Sequence, residues 1–179
     1  MDMDKYTRKS LEVIEKAKDK ALEYDNQELA QIHLLAGLLE IDESLISKIF
    51  EKLDIDVTAA VNRVEDKLAS LPKVSGGNLY AGNNFSKALI QAEKEAKQMG
   101  DSFVSVEHLF LGLIEKADSG IQRDFRQRSD AAGDRPAIDD IIIGRRRGKL
   151  FRRRSFPLLI AAGFGLVLAA GRRGALLPL

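Results

Sequence analysis

Along the first 120 residues apolar side chains return every three or four positions, the spacing of helices that bury one face. Between Tyr6 and Tyr24 the stripe is Val13, Ile14, Ala17, Ala21 and Leu22, with lysine and glutamate elsewhere. From Ile32 to Ile41 the apolar residues Ile32, Leu34, Leu35, Leu38 and Leu39 lie on more than one side, which predicts a central, buried helix. Ser44 is placed to cap a third helix with Leu45, Ile46, Ile49, Phe50 and Leu53. Asp56 is placed to cap a fourth with Val57, Ala60, Val61, Val64 and Leu68. Four helices with short joints predict a compact unit over residues 1–70. The stretch LPKVSGGNLYAGNN, residues 71–84, interrupts the pattern with Pro, paired Gly and Asn and reads as a linker. Helical spacing resumes at Phe85, Leu89, Ala92, Ala96 and Met99. Gly100 stands where a helix-ending glycine belongs, and Ser105 stands at an N-cap.

The stretches QIHLLAGLLE (31–40) and VEHLFLGLIE (106–115) carry His, Leu, Gly, Leu and Glu at the same places. An ungapped offset of 75 also aligns Ile14 with Leu89, Ala17 with Ala92, Ala21 with Ala96, Leu29 with Val104 and Ser44 with Ser119. Two helices and their joint are repeated, so the chain contains a duplicated helical unit. Gly37 and Gly112 each cost roughly 1 kcal/mol in a helix interior relative to alanine. Their recurrence at equivalent places predicts close backbone approach between helices, expected where the halves meet.

Composition then divides the chain. The formal net charge of +1 conceals −7 over residues 1–120 and +8 over residues 121–179, where arginine replaces lysine as the basic residue. There is no cysteine, so disulfides, thiolate nucleophiles and cysteine-based metal sites are excluded. The polar start, MDMDKYTRKS, lacks the apolar core of a signal peptide.

The segments KYTRKSLEVIEKA, IHLLAGLLE, LPKVSGGN and AEKEAKQMGDSFVSVEHLFLGLIE, in this order, resemble the Clp repeat N-terminal domain of the Clp AAA+ unfoldases. KVSG and AEKEAK most resemble the ClpB-type disaggregases, and the likeness runs from residue 1 to about 119. The resemblance implies an all-α fold of two tandem four-helix repeats related by a pseudo-twofold axis. Residues 1–70 form the first repeat, 71–84 the linker and 85–119 the recognisable part of an incomplete second. It further implies a module that binds unfolded protein clients or adaptors and presents them to an ATP-driven pore. Thr7, Asp101 and Glu107 match family positions linked to partner contact. Read from the residues alone, these three are a helix N-terminal hydroxyl, a loop acid and a first-turn acid favoured by the helix dipole.

Catalytic chemistry has no motif here. A phosphate-binding loop needs G-x-x-x-x-G-K-[ST], and the nearest stretch, GRRRGKL at 144–150, is one residue short and ends in leucine. His33 and His108 lack the further ligands at three or four residues that a zinc site requires, so they read as packed, hydrogen-bonded helix residues. No metal, cofactor or enzymatic activity is expected, and no nucleic-acid partner.

Residues 120–179 depart from the family. The apolar run Phe156–Gly171, flanked by arginines, would span about 24 Å as a helix, short of the roughly 30 Å hydrocarbon core. Three readings stand: nucleic-acid or membrane-surface binding through the clustered arginines, a membrane segment of a tethered adaptor, and a change of reading frame near residue 120. The last is favoured, because vocabulary, charge and family likeness all change there.

Overall fold

The computed structural model describes residues 2–41, 46, 56–74 and 76–126. A short 3-10 turn, Met3–Lys5, leads into helix α1, Arg8–Glu23. Strand β1, Glu28–Leu29, precedes α2, Gln31–Glu40; then come α3, Val57–Ser70, and β2, Tyr80–Ala81. Helices α4, Asn83–Met99, α5, Val106–Glu115, and α6, Ser119–Arg126, complete the described order. Asp56 caps α3 as expected, its carboxylate accepting from the Ala59 N–H at 3.1 Å. Of the helix expected after Ser44, only Ile46 is described, helical and fully buried. The rest of it lies outside the described residues, as do GRRRGKL and Phe156–Gly171. Among the described residues no helix is long and apolar enough to cross a membrane.

The architecture is two helical hairpins, α1–α2 and α4–α5, packed about a centre where α2 meets α5. Helix α1 also touches α5, and α4 touches α2, so each outer helix leans on the opposite inner one. The 75-residue offset therefore relates the contacts of one half to those of the other. The inner helices are almost wholly buried, with Leu34, Leu35, Leu38, Leu109, Leu111 and Leu113 at 1% exposure or less. Each such leucine contributes roughly 1.5–3 kcal/mol of burial, which is why two short helices can organise the domain. The third helix of the second half begins as the first half predicts: Ile121, 75 residues after buried Ile46, is itself buried.

Inside each hairpin the helices approach closely, and this corrects the expectation that the glycines mark the junction of the halves. A Cβ on Gly37 would strike the Val13 carbonyl oxygen and lie 3.1 Å from the Ala17 nitrogen, both in α1. One on Gly112 would strike the Ala88 carbonyl oxygen and lie 2.7 Å from the Ala92 nitrogen in α4. Ala17 and Ala92 stand opposite the two glycines, and Ala21 and Ala96, one turn further along the same helices, are buried as well.

Both outer helices close alike. The Asn26 N–H reaches the Ala21 carbonyl at 2.8 Å, and the Asp101 N–H reaches the Ala96 carbonyl at 2.9 Å. This close needs a left-handed residue just before, supplied by Gly100 at φ 80° and, in the first half, by Asp25 at φ 55°. A non-glycine residue there carries a steric cost that glycine avoids. Asp25→Gly is expected to raise stability by about 0.5–1 kcal/mol. An unchanged or lowered urea midpoint would show that the Asp25 side chain itself stabilises the turn.

Candidate partner-binding site

Two short parallel contacts tie the hairpins across the molecule, and the offset of 75 exchanges them. Leu29 pairs with Ala81 between β1 and β2, and Tyr6 pairs with Val104 in an isolated bridge. The Gly82 N–H donates to the Leu29 carbonyl, and the Thr7 N–H donates to the Val104 carbonyl, each at 3.0 Å. The described residues thus form two equivalent edges. One holds Thr7 beside the segment Asp101–Glu107; the other holds Gly82 beside Asn26–Ile32. All three residues expected at a partner site belong to the first edge, Thr7 bonded to the strand position that lies between Asp101 and Glu107.

Thr7 caps α1, its hydroxyl oxygen accepting from the Ser10 N–H at 3.2 Å. That oxygen also lies 2.7 Å from the Ser10 hydroxyl, which donates to the Val104 carbonyl at 2.7 Å. Behind the bridge, the Tyr6 hydroxyl donates to Glu93 Oε1 at 3.1 Å. Burial, reinforced by the Glu93 carboxylate, holds the Tyr6 hydroxyl protonated well above the ordinary tyrosine range. Ile90, one turn before Glu93, and Phe103, next to Val104, are each more than half exposed.

The histidines explain how the edges are built. The Nδ1 of His108 accepts from the Ser105 N–H at 3.0 Å, closing the first turn of α5 from within. Its Nε2 therefore carries the proton and faces Asp101 Oδ2 at 3.2 Å. In the first half the Nδ1 of His33 accepts from the Ala30 N–H at 2.9 Å, and its Nε2 lies 3.0 Å from Asn26 Oδ1. Both histidines are buried helix residues with hydrogen-bond partners, as expected from their sequence setting. Among the described residues no three His, Cys, Asp or Glu side chains gather closely enough to hold a metal ion.

Asn26 at 3.0 Å and Asp101 at 3.2 Å each meet a histidine Nε2, so the fold does not require a charge at this position. Asp101 nevertheless carries one, on a side chain 57% exposed. Glu107, partly exposed in the first turn of α5, stands where the other edge has buried Ile32. Sequence reasoning did not single out Ser10, Tyr6, Ile90 or Phe103. The signal for Ser10 was available: it sits three residues before Val13, on the apolar stripe, where a hydroxyl needs an internal partner.

A family model described as the Clp repeat (R) N-terminal domain matches residues 5–127, past the expected end of the likeness near residue 119, and so takes in α6. The chain belongs to this family. The Clp N-terminal repeat is 35% identical over 121 residues to the chaperone protein ClpB of Bacillus anthracis, covering 65% of the chain. It is also 35% identical over 142 residues to that of Leptolyngbya boryana, covering 77%. The matches span 14% and 16% of those relatives, so the chain corresponds to about one-seventh of their length. Among solved structures, the Hsp104 N-terminal domain from Candida albicans superposes with TM-score 0.66 at 19% identity, over 84% of this chain and 97% of that one. The N-terminal domain of the ClpV1 ATPase from E. coli gives TM-score 0.58 at 20% identity, over 63% and 69%. These likenesses establish a Clp N-terminal fold.

Proposed function

We propose that the chain is the client- and adaptor-recognition module of an ATP-dependent, ClpB-type chaperone, working in the cytoplasm and hydrolysing no ATP itself. The edge formed by Thr7, Asp101 and Glu107 is its contact site for unfolded protein segments. One observation carries this reading. The two edges share their backbone contacts and their histidine scaffolds, yet this edge has Thr7, Asp101 and Glu107 where the other has Gly82, Asn26 and Ile32. Groups that the duplicated scaffold manages without are free to serve a partner. Exposed Phe103, next to Val104, and exposed Ile90, one turn before Glu93, offer the apolar contact that an unfolded segment seeks. The relatives are chaperones by name, and the missing phosphate-binding loop leaves ATP hydrolysis to other domains or partners.

The test is binding of a fluorescently labelled, reduced and alkylated protein to the full chain and to Asp101→Asn with Glu107→Gln. Asparagine already does the structural work at the equivalent position, so the variant is expected to melt at the wild-type temperature. Binding should weaken at least about tenfold, since a hydrogen bond to a charged group contributes about 1.5–3 kcal/mol. Unchanged affinity in the folded variant would remove the site.

A further inference from the structure

We propose that Ser10 is a positioning residue that fixes Thr7 as a hydrogen-bond acceptor, and that the site therefore selects partner segments presenting N–H donors, above all lysine or arginine. The inference rests on the partner-binding reading above and specifies its chemistry.

Ser10 is fully buried, and its hydroxyl has one hydrogen, committed to the Val104 carbonyl at 2.7 Å. The contact of 2.7 Å between the Ser10 and Thr7 hydroxyls must then use the Thr7 hydrogen, with Ser10 accepting. Thr7 Oγ1 spends one lone pair on the Ser10 N–H at 3.2 Å. Toward a partner it retains one lone pair and no hydrogen. Ionised Asp101 and Glu107 are likewise acceptors only. These three side chains offer a partner's carboxylate no hydrogen, whereas an ammonium or guanidinium brings several hydrogens to their lone pairs.

The relay is specific to this edge. At the equivalent position of the other, buried Phe85 replaces Ser10 and Gly82 replaces Thr7, while the Gly82 N–H still meets the Leu29 carbonyl at 3.0 Å. The strand contact therefore forms without a hydroxyl relay, so the relay is available to set polarity.

The experiment measures affinities of the full chain for three labelled apolar peptides, identical but for a central Lys, Gln or Glu. Wild-type protein should bind in the order Lys, Gln, Glu, with Lys at least about tenfold over Glu. Ser10→Ala frees the Thr7 hydrogen to turn outward, and the Lys-to-Glu ratio should fall about three- to tenfold through tighter binding of the Glu peptide. In a Thr7→Val background, Ser10→Ala should change the ratio no further. An unchanged ratio in Ser10→Ala, or an effect that persists without the Thr7 hydroxyl, would overturn the relay while leaving the site intact. Unchanged peptide binding in Asp101→Asn with Glu107→Gln would instead overturn the site and this inference with it. Should Ser10→Ala fail to fold, Thr7→Val decides alone: it should weaken the Lys peptide and spare the Glu peptide, and an equal loss for both contradicts the proposal.

Discussion

Alanine in place of Gly112 will destabilise the domain by about 1–3 kcal/mol, although helix propensity alone would favour the change by roughly 1 kcal/mol. The added methyl would press on the Ala88 carbonyl oxygen and lie 2.7 Å from the Ala92 nitrogen and 3.1 Å from the Ala92 Cα. All three are backbone atoms of α4, so no side chain can swing aside to relieve the overlap. The helices must separate instead, loosening Leu89 and the alanines of the seam. Gly37→Ala should act in the same direction and more weakly, because the nitrogen of Ala17 stands at 3.1 Å. Urea denaturation of both variants measures the effect. A gain in stability at either position would show that propensity outweighs packing, and that the seam is looser than described.

Acid will weaken the fold through His33. Burial lowers its pKa from the ordinary 6.5 to about 4. A group whose folded pKa is depressed binds its proton more readily in the unfolded chain, so stability rises with pH across the window between the two values. The contribution of His33 is complete above about pH 6.5, declines as pH falls toward 4 and levels off below it. Its size is on the order of 3 kcal/mol. Carboxylates also titrate near the lower end, so the informative quantity is the difference from His33→Gln, which cannot take up the proton. Between pH 7 and pH 4 wild-type protein should lose about 3 kcal/mol relative to that variant in denaturant melts. Parallel pH dependences would mean that His33 is protonated in the folded domain without cost.

Much of this architecture is legible in the sequence because the duplication is ungapped. Matching Gly37 with Gly112 and His33 with His108 identifies two hairpins and their buried histidines, while the periodicity of Leu34, Leu35 and Leu38 places α2 at the centre. The glycines are less legible. A helical glycine announces close approach but not to which helix, and here the neighbour is the partner within the hairpin. The two edges were invisible for a different reason. Strands of two residues have no alternation to detect, so nothing in the sequence announces that Tyr6 meets Val104 or that Leu29 meets Ala81. Gln31 shows the same limit. It is fully buried at the start of α2, its amide donating to the Asn84 and Lys116 carbonyls and accepting from the Asp118 N–H. Those partners lie 53 to 87 residues away, beyond any local pattern. The candidate residues Thr7, Asp101 and Glu107 came from family likeness. What the structure adds is the second edge, which separates what the scaffold requires from what it does not.

Backbone amide NMR of the full chain, titrated with a lysine-bearing apolar peptide, tests directly which edge a partner occupies. Occupation of the Thr7 edge should concentrate shifts at Thr7, Phe103, Val104 and the flanks Asp101 and Glu107, leaving the equivalent edge of Asn26, Leu29, Ile32 and Gly82 unperturbed. Shifts of equal size at both edges, or shifts confined to the Asn26–Ile32 edge, would contradict it.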